Sequence, residues 1–132
     1  PSTRLLTRLI TPGAPHLDEA RMQAAAQQFV GRHDFLALCA AGSSAAAHGD
    51  TVRTITDCHV TRKGDEIDIE VTADGYLYNM VRIMAGTLLQ VGYGRFLPGQ
   101  VEQALRTGRR ELAGPTAPAH GLALMSVRYP GR

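Results

Sequence analysis

Arg82 is the residue whose type and position most clearly indicate a chemical role, because it is isolated in a long uncharged stretch. It is the only charged residue between Asp74 and Arg95. Apolar residues recur around it at helical spacing and predict a helix from about Leu77 to Val91. The opposite face of this helix also lacks the several charges that a solvated face usually carries. We therefore expect both faces to be covered and Arg82 to need a carboxylate or phosphate partner, because an unpaired buried charge is costly.

The usual catalytic motifs are absent from the sequence. It contains no GxGxxG, GxxxxGK[ST] or GxSxG motif and no recognisable Cys/His dyad. Glu66, Asp68 and Glu70 alternate along a predicted strand, which indicates a solvated face, since a general acid or base needs a sheltered site. Cys39 and Cys58 are far apart and form no CxxC motif, so we expect two reduced thiols and no metal site.

Length and composition indicate one soluble globular domain over residues 1–132. The chain is 44% hydrophobic and 20% charged, with no apolar run long enough to span a membrane and no signal peptide, so we expect a cytoplasmic protein. It begins at Pro1 without an initiator Met, which suggests a piece of a longer protein. Thirteen arginines and one lysine suit phosphate contact. Coding bias in an Ala- and Gly-rich chain explains the arginines equally well.

The pattern of elements predicts an α+β domain with a mostly antiparallel β-sheet and helices packed on one face. Residues 1–16 are predicted as an entering arm or strand. Helices are predicted over about 18–30, 77–91 and 98–105, strands over 52–60, 66–72 and 122–129, and loops over 39–51 and 108–121. In the strand 66–72 the acidic side chains should point to solvent, where they would repel RNA.

Two long segments resemble the TruA-type tRNA pseudouridine synthases. Residues 75–88 (GYLYNMVRIMAGTL) resemble the signature of their long helix, and residues 113–122 (AGPTAPAHGL) resemble the segment before their closing strand. Two shorter segments, GRHDF at 31–35 and VRTI at 52–55, match further landmarks in the same order. The resemblance covers about residues 16–130 and only the C-terminal half of the family.

The resemblance implies a pseudouridine synthase-like half-domain and an isomerase that converts uridine to pseudouridine in tRNA, near positions 38–40 of the anticodon arm. It also implies that no cofactor is needed, that the partner is tRNA and that the full-length enzyme is a homodimer. The family's catalytic aspartate belongs to an Arg-Thr-Asp-x-Gly-Val-His type motif that this sequence does not contain. We therefore assign no nucleophile and expect the chain to be inactive alone. A non-catalytic RNA-binding module is the alternative.

The resemblance also assigns roles to individual residues. Arg82 matches the family arginine that pairs with the catalytic aspartate and supports catalysis. The implied substrate-binding residues are Arg53, Tyr76, Asn79, His120 and Leu122. Among them, Leu122 would pack against the target base and Arg53 would contact phosphate. Arg109 and Arg110 are either phosphate contacts or ordinary surface arginines, and the sequence leaves both readings open.

Overall fold

The computed structural model describes residues 2–11 and 16–117, and the backbone of residues 122–129. The strands are β1 (Ser2–Ile10), β2 (Gly31–Asp34), β3 (Val52–Lys63), β4 (Glu66–Ala73) and β5 (Leu122–Tyr129). The helices are α1 (Glu19–Gln28), α2 (Ser44–Ala47), α3 (Met80–Gly92) and α4 (Gln100–Thr107), with 3-10 turns at Leu36–Leu38 and Arg110–Leu112. Within the described residues, none of the helices combines the length and apolar character needed to cross a membrane.

The strands form one sheet in the order β2-β3-β4-β1-β5, and each neighbouring pair is antiparallel. The arm predicted over 1–16 therefore contains a full strand, β1, which pairs with β4 on one side and β5 on the other. Helix α1 packs on β3 and on α3, so the helices cover one face of the sheet. Beneath them, Ile67, Ile69 and Val71 of β4 are at most 1% exposed. The predicted α+β class is confirmed.

Helix α3 is buried on nearly all sides, as the sequence pattern predicts. Ile83 and Gly86, on the face opposite the apolar stripe, are buried together with Met84 and Leu88 on the stripe itself. The predicted start at Leu77 is wrong, however, because the helix begins at Met80. The backbone of Asn79 is left-handed, with φ 61°, so the helical path cannot extend through it towards Leu77.

The acidic face of β4 is not free in solvent, contrary to the prediction. Pairing with β1 places Arg8 beside Asp68, and the two side chains form a bidentate ion pair with N···O distances of 2.8 and 3.0 Å. Glu70 lies 2.9 Å from His59 Nε2 and 3.5 Å from Arg4 Nη1. The Arg8 hydrogen bond lowers the pKa of Asp68 below its ordinary value. Basic partners thus offset the negative charge, and the argument that this face repels RNA fails.

The remaining boundaries differ from the predictions in smaller ways. Strand β2 (Gly31–Asp34) was not predicted, and strand β3 continues to Lys63. The stretch 39–51, predicted as an exposed loop, contains helix α2 and two buried residues, Cys39 and Thr51. The buried face of α4 consists of Val101, Ala104 and Leu105.

Candidate active site

A cleft lies where strand β1 meets the first turn of α3. Its volume is about 250 Å³, and its walls are mostly apolar. The lining residues are Leu5, Tyr76, Leu77, Tyr78, Asn79, Met80, Val81 and Arg82. Arg82 is the only charged side chain among them, so the described part of the cleft combines apolar walls with a single positive charge.

A tight turn from Leu77 to Met80 shapes the rim of this cleft. The Met80 N–H donates to the Leu77 carbonyl at 3.0 Å, and the Ala40 N–H donates to the Tyr78 carbonyl at 3.1 Å. Asn79, the third residue of the turn, has φ 61°, a conformation that asparagine tolerates better than most residues. Such backbone outliers cluster at functional sites. The turn holds Leu77 in the core and directs Tyr78 outward.

Arg82 is half-buried and is held by main-chain and amide oxygens. Its Nε donates to the Ala117 carbonyl at 2.9 Å, and its Nη1 lies 3.5 Å from Asn79 Oδ1. In return, the Ala117 N–H donates to the Arg82 carbonyl at 3.0 Å. Within the described residues, Arg82 forms no ion pair with a carboxylate. The chain orients this guanidinium without neutralising it.

The segment from Ala113 to Ala117 packs so closely on α3 that two glycines are required. A Cβ on Gly86 would overlap the Pro115 carbonyl oxygen. A Cβ on Gly114 would lie 2.7 Å from Thr87 Cα, closer than side-chain atoms approach a backbone. Thr87 Oγ1 accepts from the Gly114 N–H at 2.8 Å and donates to the Ile83 carbonyl at 2.7 Å. These contacts seat the segment beside Arg82.

Tyr76 lines the cleft, and its hydroxyl is bonded to two strands of the sheet. The hydroxyl oxygen is 2.6 Å from the Thr3 carbonyl oxygen and 2.9 Å from that of Val71. Burial raises the pKa of this phenol. The ring lines the cleft, whereas the hydroxyl ties the turn to β1 and β4. Any contact of Tyr76 with a ligand would therefore use the ring.

Arg53 lies against the segment that leads into the cleft. Its Nη1 donates to the Val52 carbonyl at 2.8 Å and lies 3.4 Å from Asp50 Oδ1. A Cβ on Gly75 would be 3.3 Å from Arg53 Nε, so the two residues are in close contact. Arg53 does not line the cleft itself, but it borders its entrance segment.

The remaining candidates from the sequence are His120, Leu122, Arg109 and Arg110. His120 lies outside the described residues. Leu122 is the first residue of β5, where its backbone pairs with Leu9, and its side chain lies outside the described part. Arg109 Nε lies 2.7 Å from Glu111 Oε1, whereas Arg110 Nη1 donates to the Gly114 carbonyl at 2.7 Å. Arg110 therefore supports the 113–117 segment.

The structure adds residues to the site that sequence reasoning did not assign. Thr87 and Ala117 hold the 113–117 segment against α3. Tyr78 forms part of the cleft rim. Thr87 and Ala117 carry no sequence signal of their own, because their partners lie 27 and 35 residues away. Tyr78 did carry one, since a tyrosine outside the apolar stripe of the helix predicted over 77–91 has no core position to fill.

The described residues contain no cluster of three or more His, Cys, Asp or Glu side chains that could hold a metal ion. Cys58 is fully buried, and desolvation raises the pKa of its thiol to about 12. Its thiolate form is therefore scarce at neutral pH, and Cys58 lacks the reactivity of a catalytic cysteine.

Comparison with known proteins identifies the family of this chain. A family model described as tRNA pseudouridine synthase matches residues 25–130. The tRNA pseudouridine synthase A of Acetivibrio thermocellus is 46% identical over 113 residues, which are 86% of this chain and 45% of that protein. The protein of the same name from Bacillus licheniformis is 43% identical over 113 residues, which are 86% of this chain and 44% of that protein. The one from Bacillus subtilis is 45% identical over 108 residues, which are 82% of this chain and 42% of that protein. The chain thus spans less than half the length of these curated relatives. It belongs to the tRNA pseudouridine synthase family.

Proposed function

We propose that this chain is the C-terminal part of a tRNA pseudouridine synthase that isomerises uridine in the anticodon arm, near positions 38–40. The family match over residues 25–130 supports this proposal. The names of the relatives support tRNA as the substrate. We place the reaction in the cytoplasm, where this substrate occurs.

The proposed reaction rearranges the uridine without adding or removing atoms. The bond between C1′ of the ribose and N1 of the base breaks, the base turns, and a new bond forms between C1′ and C5. The proton on C5 leaves, and N1 gains a proton. No electrons are gained or lost overall, so the chemistry needs no oxidant, reductant or cofactor.

The observation that carries the proposal is that Arg82 lies in the cleft without a carboxylate partner among the described residues. Among the residues that the structure describes, it is the only charged one lining the cleft, and its Nε already donates to the Ala117 carbonyl. The two Nη atoms are then the donors that would bind a carboxylate in a forked geometry. We assign this carboxylate to the aspartate of the Arg-Thr-Asp motif, which lies outside these 132 residues.

Pairing with Arg82 would keep this aspartate ionised. An arginine in contact with a partly desolvated carboxylate lowers its pKa by about one to three pH units. The ionised form is the nucleophile in the family reaction, so Arg82 would both place the aspartate and maintain its charge. We propose this supporting role for Arg82.

The remaining assignments concern the substrate. The target uridine must leave its stack to reach the aspartate, as in other enzymes that act on a base. The apolar walls of the cleft suit a flipped base. We propose that Leu122 packs against this base, with His120, Tyr76 and Asn79 at the same cleft, and that Arg53 contacts a nearby phosphate.

We also propose that the full-length enzyme is a homodimer and that one tRNA contacts both subunits. The basis is the family resemblance. Sedimentation of the full-length protein should give twice the monomer mass, and one dimer should bind tRNA with contacts to both protomers. A monomer that is fully active would contradict this part of the proposal.

The test uses the full-length protein and tRNA carrying tritium at C5 of uridine. Each turnover releases the C5 proton, so tritium release measures isomerisation directly. Arg82→Met keeps the volume but removes the charge and should lower kcat by about 100- to 1,000-fold, the loss usual when an electrostatic contact in an active site is removed. Arg95→Met, at the other end of α3, is the matched control. Near-wild-type turnover by Arg82→Met would contradict the assigned role.

A non-catalytic RNA-binding module is the second candidate. The absence of an Arg-Thr-Asp motif from these 132 residues is compatible with both candidates. The same assay separates the two candidates. A full-length wild-type protein that binds tRNA but releases no tritium would establish the binding module and rule out the enzyme.

A further inference from the structure

Tyr78 is exposed in a way that the surrounding structure does not require. Tyr78 is 70% exposed, whereas Leu77 and Met80 in the same turn are 5% and 0% exposed. Tyrosine is an amphipathic residue that usually buries most of its ring. Tyr78 nevertheless lines the cleft that contains Arg82.

The backbone that carries this ring is fixed on both sides. The Tyr78 carbonyl accepts from the Ala40 N–H, and the Leu77 carbonyl accepts from the Met80 N–H. Asn79 holds a left-handed conformation, and the Tyr76 hydroxyl is tied to two strands. A large aromatic side chain on a rigid support loses little conformational entropy when it binds a ligand.

The surroundings of the ring favour RNA over an acidic or purely apolar partner. Arg53, which lies against the segment leading into the cleft, supplies a positive charge that is not assigned to the aspartate. Among the described residues, no carboxylate lines the cleft. Unpaired RNA bases are commonly recognised by stacking on tyrosine, with arginine nearby for the phosphates. This combination matches the local charge and the exposed aromatic face.

We propose that Tyr78 is a stacking platform for the tRNA base immediately next to the target uridine. This inference rests on the proposed function. It adds a contact with tRNA that the proposed function does not include. When the target uridine flips out, its neighbour loses one stacking surface. The Tyr78 ring replaces that surface at the rim of the cleft, which stabilises the open form of the RNA.

The experiment uses the full-length enzyme with Tyr78→Ala and Tyr78→Phe, assayed by tritium release and by direct tRNA binding. Tyr78→Ala should raise KM and Kd for tRNA about tenfold, as expected for loss of one stacked base, and should change kcat little. Tyr78→Phe should match wild type, because stacking does not need the hydroxyl. Tyr93→Ala is the matched control, since Tyr93 is also exposed but lies at the opposite end of α3.

A second measurement tests the contact itself. An anticodon stem-loop with 5-iodouridine next to the target uridine should photo-crosslink to residue 78 in the wild type and in Tyr78→Phe. The crosslink should disappear in Tyr78→Ala. A crosslink that maps elsewhere, or an unchanged KM and Kd in Tyr78→Ala, would overturn the inference.

The same experiments distinguish RNA stacking from burial of the Tyr78 ring against another part of the full-length protein. If another part of the full-length protein covers Tyr78, Tyr78→Ala will lower the Tm while Kd for tRNA stays at the wild-type value, and the inference is wrong. If the wild-type protein releases no tritium, the proposed function fails. If the wild type is active and Tyr78→Ala is equally active at low tRNA concentration, only the stacking role fails.

Discussion

Arg82 and Ala117 are joined by two hydrogen bonds that run in opposite directions. The Arg82 side chain donates Nε to the Ala117 carbonyl at 2.9 Å, and the Ala117 N–H donates to the Arg82 main-chain carbonyl at 3.0 Å. The 113–117 segment therefore fixes both the position and the orientation of the guanidinium. A change that displaces this segment should affect the arginine without touching it.

The first prediction concerns Gly86→Ala, where the added methyl would overlap the Pro115 carbonyl oxygen. The helix is buried and cannot shift easily, so the 113–117 segment should be displaced. We expect a loss of stability of about 1–3 kcal/mol, as for other overpacked sites. Turnover by the full-length enzyme should fall at least about tenfold, because small displacements of catalytic groups are costly.

Gly99→Ala is the control for this change. A Cβ at Gly99 meets nothing within 4 Å, so its effect should stay within about 0.5 kcal/mol. Urea unfolding measures the stabilities, and tritium release measures the turnover. If Gly86→Ala behaves like Gly99→Ala in both assays, the close packing of the 113–117 segment on α3 is wrong.

The second prediction separates the hydroxyl of Thr87 from its shape. Thr87→Val keeps the volume but leaves the buried Gly114 N–H without its 2.8 Å acceptor. An unpaired buried donor costs about 1–3 kcal/mol. Thr87→Ser keeps the acceptor and loses one methyl group, worth about 0.8 kcal/mol. The free energy of unfolding in urea should therefore be highest for wild type, lower for Thr87→Ser and lowest for Thr87→Val. If Thr87→Val is as stable as Thr87→Ser, the hydrogen bond to Gly114 does not contribute as proposed.

How far the sequence predicts this site depends on the range of each contact. The apolar period around Arg82 predicts α3 and its burial, because helical periodicity is local. The same period misplaces the start of the helix, since apolar spacing continues through Leu77 and does not reveal the left-handed backbone of Asn79. The seating of the segment near Ala117 is not predictable from either segment alone, because the contact spans 35 residues.

The acidic strand shows the same limit. Alternation correctly predicts that Ile69 and its neighbours face the core, because that pattern is contained in β4 itself. It fails for Asp68, whose partner Arg8 lies 60 residues away on β1. The alternation within a strand predicts which face of the sheet a side chain lies on. The residue that it contacts depends on which strand pairs with it, and that pairing is not visible in the local sequence.

The third prediction follows from this pair. The Arg8 hydrogen bond lowers the pKa of Asp68 in the folded protein below its ordinary value of 3.8. The stabilisation is therefore fully present above pH 3.8 and is lost as the pH falls through the lowered folded value. Arg8→Gln should be less stable than wild type at neutral pH, and the difference should shrink on acidification.

Urea unfolding at several pH values between neutrality and the acid range measures this difference. Arg95→Gln is the control, because Arg95 forms no ion pair with a carboxylate in the described part of the chain. Its effect on stability should not depend on pH. A constant difference between wild type and Arg8→Gln across the same range would show that the ion pair does not govern the titration.

The fourth prediction tests Arg53 as a phosphate contact. Its guanidinium borders Gly75 at the entrance of the cleft, so we expect it to lie beside the RNA backbone. Removing one phosphate contact lowers the slope of log K against log salt concentration by about 0.7–0.9. Arg53→Ala in the full-length protein should show this change for tRNA, whereas Arg109→Ala should not, because Arg109 neither lines the cleft nor borders its entrance segment. A weaker affinity at an unchanged slope would mean that Arg53 acts by supporting the Gly75 segment and makes no phosphate contact.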